Sequence, residues 1–268
     1  MRVLFRLLPL AAVMCALSAP TAVAAPAPGY EEFTDCPSRT VNTSIRFCIS
    51  SVVSGGHLQL GSKDTPITDP ITLIGATTNV GGFVLGTFDG GRQTVPGGLV
   101  GVTGLDWLTD VLTGDALKVF ARTELAGAPS NPALDPVRLP IKIKLENAVL
   151  GNNCYIGSDS NPIQLVLTRF TTNPPPPNQP ITGSEGTSLT DAATGITRIS
   201  DIHLVDNSFA APAANGCRLN LGLLHVGIDD LVNLQSGLPS PAGTNEAIQI
   251  ADGAVAPIQR VYPTLGFE

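Results

Sequence analysis

Three histidines carry the imidazoles of this chain, and acid–base chemistry near neutral pH would start from them. His57 sits in "GGHLQL", His203 in "SDIHLVD" and His225 in "LLHVG". Asp201, His203 and Asp206 are close in sequence and serines are plentiful, so a Ser-His-Asp arrangement assembled across the fold is one chemistry this set could perform. Asp229 and Asp230 are adjacent acids, but consecutive positions on a helix do not converge on one substrate atom. Their expected role is negative charge at a helix N-terminus. The histidines lack metal-ligand spacing, no C-x-x-C pair offers zinc a site, and "GSDSNP" and "DGG" read as tight turns rather than calcium loops. No G-x-S-x-G, H-E-x-x-H, P-loop or G-x-G-x-x-G motif occurs. The residues therefore read as strand-edge or turn histidines, with no catalytic set, no metal and no cofactor. A hydrolase using one of His57, His203 or His225 is the alternative.

The N-terminus reads as a targeting segment. Arg2 and Arg6 precede an apolar run from Leu7 to Leu17, and Ala22 and Ala24 suit signal-peptidase cleavage after Ala24. The apolar run is too short to span a bilayer, which takes about 20 residues. Residues 1–24 are thus expected to be a signal peptide and the mature chain to be secreted and extracellular. Without Arg2 and Arg6, 13 basic residues face 22 acidic ones, a formal net charge of −9. That balance repels phosphate backbones and argues against a nucleic-acid partner. No second long apolar run follows, so no transmembrane segment is expected after signal removal.

Once Cys15 leaves with the leader, Cys36, Cys48, Cys154 and Cys217 remain. An even count in an exported chain suggests two disulfides, for which three pairings exist.

An internal match organises the rest. "SIRFCISSVVSGGHLQLGSKDTPI" (44–67) lies over "PIKIKLENAVLGNNCYIGSDSNPI" (140–163) without a gap, and "GLDWLTDVLTG" (104–114) pairs with "GIDDLVNLQSG" (227–237) in the same order. A duplication is expected: a first β-rich copy over 25–127, a Pro-rich connector over 128–139, and a second β-rich copy over 140–268. The division favours Cys36–Cys48 and Cys154–Cys217, one staple within each copy. "TTNPPPPNQPITGSEGTS" (171–188) reads as a Pro-rich loop of the second copy.

Alternation with period two dominates. Ile141, Ile143 and Leu145 form one face and Lys142, Lys144 and Glu146 the other. Similar runs occur at 44–50, 57–61, 71–75, 83–88, 118–125, 163–170, 196–205 and 218–224, separated by turn residues. The fold class is therefore all-β, as two related β-sandwich-like halves. Each half carries one short helix, over 104–114 and 227–237. In the second helix Ile228, Leu231 and Leu234 share the expected apolar face, and Gly237 ends it. With one tryptophan, Trp107, in the first helix and tyrosines only at 30, 155 and 262, stacking on sugars is disfavoured.

The combination of "HLQLGSKDTPI", "VPGGLVG", "LGNNCYIGSDSNPIQLVLT", "PPPPNQPITG" and "GLPSPAGTNEA" resembles a family of uncharacterised secreted proteins of high-GC Gram-positive bacteria. The resemblance spans most of the mature chain, agrees with export and brings no catalytic residues to transfer. The expected function is that of a non-enzymatic extracellular or cell-envelope-associated protein, binding or structural, with an envelope ligand as partner. One specific form is a carrier of an apolar envelope ligand, which requires an enclosed apolar cavity of several hundred Å3.

Overall fold

The computed structural model describes residues 25–98, 118–147, 150–221 and 224–263. The expected leader and the helix expected over 104–114, with Trp107, lie outside these residues. In chain order the strands are β1 (Ile45–Leu60), β2 (Lys63–Pro66), β3 (Ile71–Thr78), β4 (Phe83–Asp89) and β5 (Gln93–Val95). Then come β6 (Val119–Leu125), β7 (Val137–Glu146), β8 (Tyr155–Ile156), β9 (Ile163–Leu167) and β10 (Thr187–Thr190). The last are β11 (Thr197–Asp206), β12 (Ala214–Asn215), β13 (Arg218–Leu221), β14 (Leu224–Gly227) and β15 (Glu246–Pro257). Helix α1 spans Asp229–Ser236 and the short α2 spans Ile258–Val261. The all-β expectation holds.

The strands form a seven-stranded sheet, ordered β10-β11-β15-β1-β3-β4 with β2 beside β1. A second, six-stranded sheet is ordered β12-β8-β7-β6-β5 with β9 beside β7, and β13 and β14 form a separate hairpin. The two halves of the sequence interleave. β1 pairs along its length with β15, and β6 pairs with β7, so each sheet draws strands from both halves. The Pro-rich connector also ends earlier than expected, because β7 begins at Val137 and carries Pro140 within it. Pro140 lacks an N–H, but its carbonyl accepts from Ala126, so the ladder continues past it. The repeated frame keeps its local geometry: Gly61 and Gly157 both adopt positive φ, 57° and 79°, between buried Leu60 and Ile67 in one case and buried Ile156 and Ile163 in the other.

The sequence of β1 changes phase along its length, and a bulge accounts for it. Ile49 and Val53 sit at odd positions, whereas Leu58 and Leu60 sit at even ones. The β1–β15 register passes from Val53↔Ala251 to Gly55↔Ile250, leaving Ser54 as the extra residue. One extra residue restores the inward face after the phase change. β11 does the same against β15: its register passes from Ile199↔Gly253 to Ile202↔Ala251, and Asp201 takes φ 58° there.

Each disulfide lies in a core cluster. Cys154–Cys217 joins the inter-sheet core with Ile141, Ile163 and Leu165. Cys36–Cys48 lies on the opposite face of the first sheet with Phe33, Ile258 and Tyr262, where the segment before β1 meets α2. The Tyr262 hydroxyl donates to the Cys36 carbonyl at 2.8 Å. Two disulfides fit an oxidising compartment.

Helix α1 ends at Gly237 with φ 65°, as its sequence requires. Its buried side differs from the expected one. Leu231 and Leu234 are 51% and 81% exposed, while Ile228 and Val232 pack on the core. Polar anchors set this rotation: Asp229 Oδ1 accepts the Cys217 N–H at 2.6 Å, and Asn233 accepts from and donates to the backbone of Ala214.

The Pro-rich stretch is also more ordered than loop composition implies. Thr171 bridges Thr182, Ser184 bridges His203, and β10 begins within the stretch at Thr187. Asn178 Nδ2 donates to the carbonyls of Asn207 and Asn245, and Asn207 Nδ2 donates to that of Gln179.

Candidate apolar ligand site

β7 forms the wall from which the site is built. Val137, Leu139, Ile141, Ile143 and Leu145 all face the first sheet and are all buried, while Arg138, Lys142, Lys144 and Glu146 alternate to the outside. The outer face is a ladder of ion pairs, such as Arg92–Glu146 at 3.1 Å and Lys142–Asp159 at 2.7 Å, and Asp159 raises the Lys142 pKa through its hydrogen bond. The inner face meets the first sheet without filling the space between them.

Two chambers result. The first, about 110 Å3, is walled by Ile141, Ile143 and Leu145 of β7 against Leu58 and Leu60 of β1. The second, about 160 Å3, lies between Val137 and Leu167 on one side and Val53, Leu73 and Leu204 on the other. Ile71, Phe88, Leu139 and Gln249 line both, which places them at the boundary, or neck, where the chambers adjoin. Each chamber is smaller than the several hundred Å3 expected of a carrier site. Each is comparable to a cavity of about 150 Å3 that, lined by aliphatic and aromatic groups, stays dry and binds benzene. Polar lining residues of the first chamber include His57, Lys63 and Thr65.

The three histidines stand on three different strands. His57 on β1 and His203 on β11 flank β15, opposite Ile248 and Ile250. Each is held by its own carboxylate. His57 Nε2 lies 3.0 Å from Glu246 Oε1, with Asp64 Oδ1 3.7 Å from Nδ1; His203 Nε2 lies 3.0 Å from Asp201 Oδ1. Among the described residues no serine hydroxyl hydrogen-bonds either ring. His225 lies exposed on β14.

Asp206, grouped with His203 in sequence, plays a different part. It is buried and accepts the N–H groups of Val166 at 2.6 Å and Ser208 at 2.9 Å, linking the two sheets. Burial raises its pKa, and these two hydrogen bonds oppose that rise. Among the described residues no three His, Cys, Asp or Glu side chains group as a metal site, and no helix is long and apolar enough to cross a membrane. "GSDSNP" folds as a tight turn closed by Ser158 and Asn161.

The site residue that sequence reasoning missed is Gln249. It occupies an inward position between buried Ala247 and Ala251 of β15. The sequence held no signal for it, since the alternation in "AIQIADG" sets Ile248 and Ile250 on one face and leaves the glutamine on the other, which reads as the wet side.

Comparison of the chain with family models, with curated proteins and with solved structures finds no match.

Proposed function

We propose that the mature chain is a secreted, non-catalytic binding protein that takes a small apolar ligand of the cell envelope into the chambers between its sheets. The observation that carries this reading is the pair of adjoining, aliphatic-walled chambers. An unfilled apolar space weakens a fold by about 24 cal/mol per Å3. Both chambers open partly to solvent, so this rate gives only an upper bound for each, on the order of 3 kcal/mol. A ligand that fills the chambers recovers this. The leader pattern and the two disulfides support export. The rings of His57 and His203 hydrogen-bond to carboxylates and, among the described residues, to no serine hydroxyl that could act as nucleophile, which favours binding over hydrolysis.

The test is a titration with the neutral fluorescent probe N-phenyl-1-naphthylamine. Saturable binding at one site is expected for the native protein. It should be lost when Ala121→Phe fills the first chamber and Ala251→Phe the second, with circular dichroism showing the fold retained. Absence of saturable binding, or equal binding by the filled variant, would contradict the reading. So would esterase, protease or glycosidase turnover abolished by His203→Ala.

A further inference from the structure

We infer that the ligand is an uncharged acyl chain whose ester or amide carbonyl lies at the neck between the chambers, hydrogen-bonded by Gln249. The inference rests on the proposed use of the chambers and adds the chemistry of the occupant.

Three observations carry it. First, Gln249 lines both chambers, so its carboxamide stands where an extended ligand would cross from one to the other. Second, this carboxamide makes no hydrogen bond to any described residue, whereas the neighbouring Gln93 is fully engaged, accepting from Thr68 and Asp69 and donating to the Asp69 carbonyl. Gln249 is half-buried and its carboxamide still reaches solvent, since no buried side-chain N or O among the described residues lacks a hydrogen bond; a ligand that covers it must replace that hydration. A ligand carbonyl supplies an acceptor for its NH2, and an amide N–H supplies a donor for its oxygen. Third, the other neck residues, Ile71, Phe88 and Leu139, are apolar. A carboxylate placed among these apolar side chains would be desolvated, which disfavours a free fatty acid headed there; Lys63 and His57 line the first chamber only and are not among the four shared residues. Arg169, in the second chamber's wall, is already paired with Asp135. The small size of each chamber limits the arms on either side of the carbonyl to short aliphatic segments.

The test uses the full mature chain and competition against N-phenyl-1-naphthylamine, with pentyl butanoate, decane and decanoate as competitors. Pentyl butanoate is expected to displace the probe. Gln249→Leu should weaken it about tenfold, the loss of one hydrogen bond of about 1.4 kcal/mol, while decane is unchanged or tighter. Gln249→Met, close to glutamine in size, should behave like Gln249→Leu and guards against a folding defect in one variant. An equal change for ester and hydrocarbon would overturn the inference while leaving the chambers as a binding site. Stronger displacement by decanoate than by the ester would overturn it in the same way. Failure of all three competitors on a native protein that binds the probe would also overturn it, and failure of the probe itself would remove the proposed function with it.

Discussion

Gln249 of β15 stands directly across the ladder from Gly56 of β1, at the level where β1 has just absorbed its bulge. Gly56 has φ 97°, and a Cβ there would lie 2.0 Å from the carbonyl oxygen of Ile248. The neighbouring Gly55 has no such constraint, since its Cβ would meet Ile250 Cβ at 3.6 Å, an ordinary contact. The pair of glycines therefore separates backbone necessity from composition. Gly56→Ala is expected to lower unfolding free energy by at least about 2 kcal/mol, and Gly55→Ala to change it by less than about 1 kcal/mol. Urea denaturation of both variants decides this, and similar costs at the two positions would contradict the bulge as described.

The two disulfides should differ in weight. Their sequence separations are 12 for Cys36–Cys48 and 63 for Cys154–Cys217, which the chain-entropy model converts to about 3 and about 4 kcal/mol. Replacing both cysteines of a pair by alanine should lower the urea midpoint more for the second pair. The reverse order would show that local packing, not loop closure, sets the contribution.

The Pro-rich stretch should depend on asparagines more than on the disulfide that encloses it. Asn207 is 1% exposed, accepts from Thr172 Oγ1 at 2.8 Å and donates to the Gln179 carbonyl at 2.7 Å. Asn207→Ala leaves the Gln179 carbonyl without this donor and the Thr172 hydroxyl with only the Ile181 backbone, at an expected cost of about 1–3 kcal/mol. Limited proteolysis should then cut within 171–188 while the native protein resists. Unchanged resistance would mean that the prolines alone hold the segment.

Asp206 gives the pH dependence a sign. Burial pushes its carboxyl above the ordinary value of 3.8 in the folded protein. The folded form therefore keeps its proton to higher pH than the unfolded form. Its contribution to stability is fully present below about pH 4 and is lost as pH rises through the raised value. Compared with Asp206→Asn, the native protein should lose unfolding free energy as pH rises from the ordinary carboxylate value through the raised one. A gain over that range would reverse the assignment and show that the N–H groups of Val166 and Ser208 outweigh burial.

The strands were legible because alternation is a local property. Ile141, Ile143 and Leu145 declared the inner face of β7, and the burial there follows their spacing. Pairing partners were not legible, since β1 meets β15 across nearly the whole chain and nothing in either strand names the other. The face of α1 was misread for a related reason. Leu231 and Leu234 fit an apolar stripe, but the Cys217 N–H that Asp229 accepts and the Ala214 carbonyl to which Asn233 donates outweigh them. The chambers escaped sequence reading because a void is set by how two sheets meet.

The most direct measurement of the central claim is native mass spectrometry of the protein purified under mild conditions from the medium of its own host. The expected spectrum shows the disulfide-bonded mature chain with an added small organic mass, removable by organic solvent and absent from the variant with Ala121→Phe and Ala251→Phe. A native protein that carries no added mass, indistinguishable from the filled variant, would contradict the claim that the chambers between the sheets hold a ligand.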